Sequence, residues 1–140
     1  VTAVLALSLS FFTGHAATSS DTIHAIQIET LLKTGTAWDG SALGAYPEGK
    51  PEVAVLRITI PAHTTMDWHS HPMPNVAYVV SGELTVEKQD GTLERHFTAG
   101  QTVPELVNVA HRGVTGERAV ELIVFYAAAS GMPLSTRHAN

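Results

Sequence analysis

Between Val53 and Tyr126 the chain is divided by glycines and turn residues into short runs of β-forming character, a rhythm that leaves few folds open. Val53 to Ile60 combines alternation with β-branched residues and is stopped by Pro61. Val76 to Val80, Glu83 to Glu87, Leu93 to Phe97, Thr102 to Leu106, Val107 to His111 and Ala119 to Tyr126 continue the series. Gly82, Asp90-Gly91, Gly100, Gly113 and Gly116 supply the breaks, and Asp90-Gly91 has the composition of a hairpin tip. Many short strands at this spacing predict an all-β sandwich or barrel. A turn or two around Glu29 to Lys33 is the only helical candidate, and 140 residues suffice for one core but not for two.

Histidine carries the chemistry. His69 and His71 flank Ser70, and residues two apart on an extended strand face the same way, so both imidazoles can close on one ion. His111, in a separate apolar run, can complete a facial set of neutral nitrogens that leaves positions open for water or substrate. A lone strand histidine is more often a satisfied polar side chain, and it is the joint spacing of these three that points to metal. His24, His63, His96 and His138 have no partner at ligand spacing and read as surface or turn residues. Asp67 shares the parity of His69 and either holds an imidazole tautomer or is solvated, whereas Trp68 points away from it. Ala77 and Val79 share the parity of Asn75 and leave room beside an ion.

Composition narrows the partners. The chain has 8 Lys and Arg against 13 Asp and Glu, which argues against a nucleic-acid groove or an anionic membrane surface. With no cysteine, thiolate sites, disulfides and cysteine nucleophiles are excluded, so a metal must be held by His, Asp, Glu or Asn. Val4 to Phe12 is an uncharged apolar run followed by Gly14-His15-Ala16-Ala17, small residues of the kind that precede a signal-peptidase cut, and then by polar Thr18 to Asp21. This pattern predicts a signal peptide over 1–17 and a mature protein that is periplasmic or secreted. The other reading, an ordinary apolar strand or buried helix, has in its favour that no Lys or Arg precedes the run. Either way it is too short to span a bilayer as a helix.

With strands and histidines placed, the chain resembles the cupins, which are built on a jelly-roll, or double-stranded β-helix, barrel. In the first cupin motif a glycine is followed six residues later by H-x-H, then a glutamate, then a second glycine. Here His63 stands at the first glycine, His69 and His71 match, Asn75 takes the glutamate position and Gly82 matches. In the second motif Gly100 and His111 match, while Leu106, Asn108 and Thr115 replace a proline, a glycine and an asparagine. The run Trp38-Asp39-Gly40, Tyr46-Pro47, Gly49 and Pro51-Glu52 is similar to that of small single-domain bacterial cupins. The resemblance implies a cupin barrel over 53–128, preceded by an N-terminal strand and a long Gly- and Pro-rich connection over 18–52, and followed by a C-terminal tail over 129–140.

The departures shape the chemistry. Asparagine at position 75 leaves three neutral imidazoles with a weak oxygen donor, a set that favours copper, then iron, with zinc, nickel and manganese as alternatives. Asn75 is read as a catalytic residue that places a bound water or oxygen species, by weak ligation or by an outer hydrogen bond. Glu105, six before His111, is the candidate general base or outer ligand, although a turn at Asn108 would break the alternation and favour a rim position. Asn108 suits a glycine position, because asparagine tolerates left-handed backbone. Trp38 and Tyr46 either fold over the barrel mouth and stack on a sugar or aromatic ring, or pack outside the barrel. Cupins include dioxygenases, oxidative enzymes, isomerases, decarboxylases and pure ligand binders, and fold does not choose among them. The leading expectation is a copper- or iron-dependent oxidoreductase acting on a small organic molecule or a carbohydrate end. The alternatives are a non-catalytic binding module and a zinc- or nickel-dependent isomerase or hydrolase. The apolar run Val120 to Tyr126, expected to be buried on both faces, predicts a homodimer.

Overall fold

The structure, a computed structural model, describes residues 26–139, so the apolar run Val4 to Phe12, the signal peptide expected over 1–17, and His24 lie outside the described residues. Nine strands follow one another: β1 (Pro51–Ile60), β2 (His69–Ser70), β3 (Asn75–Ser81), β4 (Glu83–Lys88), β5 (Glu94–Thr98), β6 (Thr102–Pro104), β7 (His111–Thr115), β8 (Val120–Ala129) and β9 (Thr136–Arg137). They form a four-stranded sheet in the order β1-β8-β3-β6 and a five-stranded sheet in the order β5-β4-β7-β2-β9, with antiparallel pairing throughout both. The helical turns expected at Glu29 to Lys33 do not form, and no helix occurs among the described residues. Leu31 is 53% exposed, so a helix of one or two turns there would bury little apolar surface to offset the cost of its nucleation.

Alternation decides which side chains enter the core. Ala77 and Val79 of β3, Leu84 and Val86 of β4, and Val120, Leu122 and Val124 of β8 are buried, while their neighbours are half-buried or exposed. Val120 to Tyr126 is therefore buried on one face only, and Phe125 on the other face is 43% exposed. The expected strand over Val107 to His111 is also corrected. β6 ends at Pro104, Asn108 turns through a left-handed φ of 59°, and the chain re-enters a sheet only at His111. Among the described residues the other non-glycine residue with positive φ is His63, at 53°, so both lie where the cupin motifs carry glycine. The early connection packs beside β5 and β6. Trp38 is buried in the core, its amide donates to the Pro104 carbonyl (2.8 Å), and Arg95 donates to the Trp38 carbonyl (3.1 Å).

Candidate metal centre

β2 and β7 are adjacent, and their register sets His69 directly opposite His111, which puts the two side chains on one face. His71 follows two residues after His69, held by a parallel bridge to Val107. The three rings form a near-equilateral triangle, with centroids 4.8 Å apart for His69 and His111, 5.1 Å for His69 and His71, and 5.2 Å for His71 and His111. Each ring makes one hydrogen bond to a main-chain carbonyl: His69 Nδ1 to Asp67 (2.9 Å), His71 Nδ1 to Leu134 (2.7 Å) and His111 Nδ1 to Val109 (2.8 Å). A carbonyl only accepts, so each Nδ1 carries hydrogen and each Nε2 is left for a ligand, the outer arrangement that metal-bound histidines use. For His69 it is the Asp67 carbonyl that fixes the tautomer; the Asp67 carboxylate pairs instead with Arg137 at 3.2 Å.

Glu105 completes the group. Its Oε2 lies 2.8 Å from His111 Nε2 and 3.1 Å from His71 Nε2, and its side chain is only 14% exposed, so the rim position expected from the turn at Asn108 is overturned. The turn does break the strand alternation, yet it folds Glu105 and His111 toward each other. A second route explains why a carboxylate stands here. One step past the β3–β6 pair Val76 and Pro104, the Glu105 amide donates to the Asn75 carbonyl (3.1 Å), so residues 75 and 105 face each other across the ladder. Asn75 is in turn paired with Tyr126 of β8, which makes Glu105, Asn75 and Tyr126 a cross-strand row on the inner face. The carboxylate missing at the glutamate position of the first motif is thus supplied from the adjoining strand. Asn75 itself is 1% exposed, and neither atom of its carboxamide has a hydrogen-bond partner among the described residues.

Electrostatics bind the cluster together. Burial pushes the Glu105 carboxyl up, but hydrogen bonds and charge from His111 and His71 more than offset this and hold it well below the usual carboxylate range. Burial likewise lowers His71, whereas Glu105 and the Leu134 carbonyl raise it to a net position above an ordinary imidazole. His69 ends below the ordinary value, mainly through burial, with the two neighbouring imidazoles adding to the depression against the Asp67 carbonyl. Burial, with the charge of Glu105, pushes the Tyr126 hydroxyl up to about 12, so it stays a neutral donor at working pH.

The donor atoms of His69, His71, Glu105 and His111 all lie within 4.8 Å of one another. Two donors bound at right angles to one ion at about 2.1 Å would lie about 3 Å apart, which the Glu105 contacts to His71 and His111 match. Three imidazoles and one carboxylate, with tautomers already set, therefore fit a divalent transition ion. They sit in a cavity of about 380 Å³ whose walls are largely aliphatic, among them Leu56, Ile58, Leu84, Val86, Leu122 and Val124. Tyr126 joins this wall, its ring 5.6 Å from that of His71. Leu134, Ser135 and Arg137, from the stretch expected to be a mere tail, also line it, and sequence reasoning missed their part in the site. The other histidines among the described residues behave as surface groups: His63 is 3.6 Å from Glu117, His96 is 3.4 Å from Glu83, and exposed His138 meets the Ser70 hydroxyl. Trp68 packs beneath the Arg112 guanidinium, 4.0 Å from its ring centre.

No family model and no curated protein matches the sequence. Among solved structures the chain is similar to the DMSP lyase DddQ from Ruegeria pomeroyi, with 19% identity and a TM-score of 0.54 over 61% of this chain and 42% of that one. A cupin-like protein from Thermotoga maritima aligns with 17% identity and a TM-score of 0.53, over 63% of this chain and 65% of that one. An oxalate oxidase in complex with the substrate analogue glycolate aligns with 20% identity and a TM-score of 0.52, over 61% and 45% of the two chains. The chain spans less than half the length of the lyase and of the oxidase it matches. Two antiparallel sheets, inward histidines at both motif positions and these neighbours agree: this chain has the cupin fold, a double-stranded β-helix with a candidate metal centre inside it.

Proposed function

We propose that the protein is a metal-dependent oxidoreductase that acts on a small, mostly apolar organic molecule, with one divalent transition ion held by His69, His71, His111 and Glu105. The observation that carries this reading is the convergence of four donor atoms at one wall of an aliphatic cavity. Three neutral imidazoles would favour copper, and an ionised carboxylate adds a hard, anionic donor that moves the preference toward iron(II) or manganese. Iron accordingly stands ahead of copper. When bound, such an ion polarises substrate oxygen and, if redox-active, supports dioxygen chemistry. The chain supplies the rest: aliphatic walls exclude water, Tyr126 offers a neutral hydroxyl beside His71, and fixed tautomers keep the imidazoles oriented. A sugar substrate has less support, since Trp38 is buried in the core, Tyr46 is 78% exposed, and neither lines the cavity. Asn75 is proposed to hold an ordered water behind Glu105, which its unpartnered buried carboxamide and its register position support.

A redox-silent reading, isomerisation or hydrolysis with zinc or nickel, draws support from the same donor set, since three imidazoles and a carboxylate suit those ions as well. A periplasmic or secreted setting rests on the sequence of residues 4–21 alone. The deciding experiment is metal analysis of the untagged protein purified without added ions, beside His71→Ala. Bound iron or copper in the parent and none in the variant is expected; metal retained by the variant would overturn the ligand assignment. Spectra of the iron and copper forms with ascorbate and peroxide then separate a redox-active ion from an inert one.

A further inference from the structure

The segment after β8 is built into the metal centre. It turns at Gly131 (φ 82°), sends the Leu134 carbonyl to His71 Nδ1 (2.7 Å), and then runs as β9 against β2, with Arg137 opposite His69 and Thr136 opposite Ser70. Arg137 pairs with the carboxylate of Asp67, the residue whose carbonyl orients His69. The His138 amide donates to the Trp68 carbonyl (2.9 Å), and Ser70 Oγ meets His138 Nε2 at 2.8 Å. Leu134, Ser135 and Arg137 form part of the cavity wall. Hence β2, only two residues long and flanked by both ligands of the H-x-H pair, is covered on one edge by β7 and on the other by this tail alone.

From this we infer that residues 130–139 are a clasp whose docking is thermodynamically linked to ion binding, an inference that rests on the metal reading proposed above. Thr136, Arg137 and His138 are exposed, while half-buried Met132 and Leu134 pack against the core, so opening of the clasp requires the loss of a few hydrogen bonds and a modest apolar contact. An open clasp leaves His71 without the acceptor that fixes its ring and leaves the β2 edge unpaired. Binding of an ion needs the oriented ring, so it draws the clasp shut, and by reciprocity a shut clasp strengthens ion binding. The same closure keeps a wall of the cavity in place, so ion binding also favours the complete substrate pocket.

Zinc serves as the probe, because its binding is read without turnover. Two measurements test the linkage: amide hydrogen exchange of the full chain with and without zinc, and zinc affinity, by competition with a chromophoric chelator, of a chain ending at Pro133. Addition of zinc should slow exchange at 134–138 selectively, and the shortened chain should bind zinc about 10- to 100-fold more weakly, the usual cost of losing an outer hydrogen-bond partner. Unchanged exchange in the clasp while the full chain binds zinc would overturn the inference and leave the metal reading standing. A full chain that binds no zinc, iron or copper would overturn both. If the shortened chain fails to fold, the exchange measurement decides alone.

Discussion

At the scale of single residues, positions 75 and 105 carry the main lesson. A fixed offset from H-x-H leads to Asn75, and offset alone gives no hint that a carboxylate stands beside it. The ladder does, since Glu105 faces Asn75 across β3 and β6. Glu105→Gln should weaken iron(II) or zinc binding by at least the roughly tenfold that loss of an outer partner costs, measured by calorimetric titration. In the metal-free protein the same carboxyl lies below its ordinary value of 4.5, so its contribution to stability is complete above pH 4.5 and is lost as pH falls toward the folded value. Thermal midpoints of parent and Glu105→Gln should therefore converge below pH 4.5, whereas the opposed shifts of His71 and His69 act nearer neutrality. Asn75→Leu, which removes the carboxamide proposed to hold a buried water, should lower metal-free stability by about 1 kcal/mol in urea denaturation and impair turnover.

At the scale of elements, β3, β4 and β8 follow the alternation in the sequence because one face of each is buried, whereas β1 and β5 fall within a few residues of expectation although only Ile60 and Phe97 in them are buried. β2 is legible only as the extended H-x-H stretch and β9 not at all, since two-residue strands carry no period and exist only through the partners that the closed barrel brings to them. The three histidines were legible because strand parity and a common face are local properties. Turn positions can be tested directly. Gly82 has a φ of 78°, and an added Cβ would lie 2.4 Å from the Ala119 carbonyl oxygen. Gly82→Ala should cost about 2 kcal/mol or more, read from denaturant midpoints. Asn108→Gly should change stability little, whereas Asn108→Val should lose about 1–2 kcal/mol, because a β-branched side chain resists the left-handed turn.

At the scale of the whole molecule, the outer face of β1 and β8 is unusually apolar: Val53 is 67% exposed, Val55 62% and Phe125 43%, and β1 is a sheet edge. We propose that a second copy covers this face, as a soluble monomer seldom leaves such a patch bare. Sedimentation should give a dimer at micromolar concentration and a monomer for Phe125→Glu; a monomeric parent would remove the proposal. Inside the barrel, the ligands come from three separate stretches of chain. Glu105 follows β6 at the border of one sheet, while His69 and His111 belong to the other. An ion shared among them would rivet one sheet to the other, so loading at a hundredfold excess over Kd should add about 2.7 kcal/mol to the resistance of the fold to unfolding. A chelator would then do more than silence the protein: it would loosen the seam between its halves.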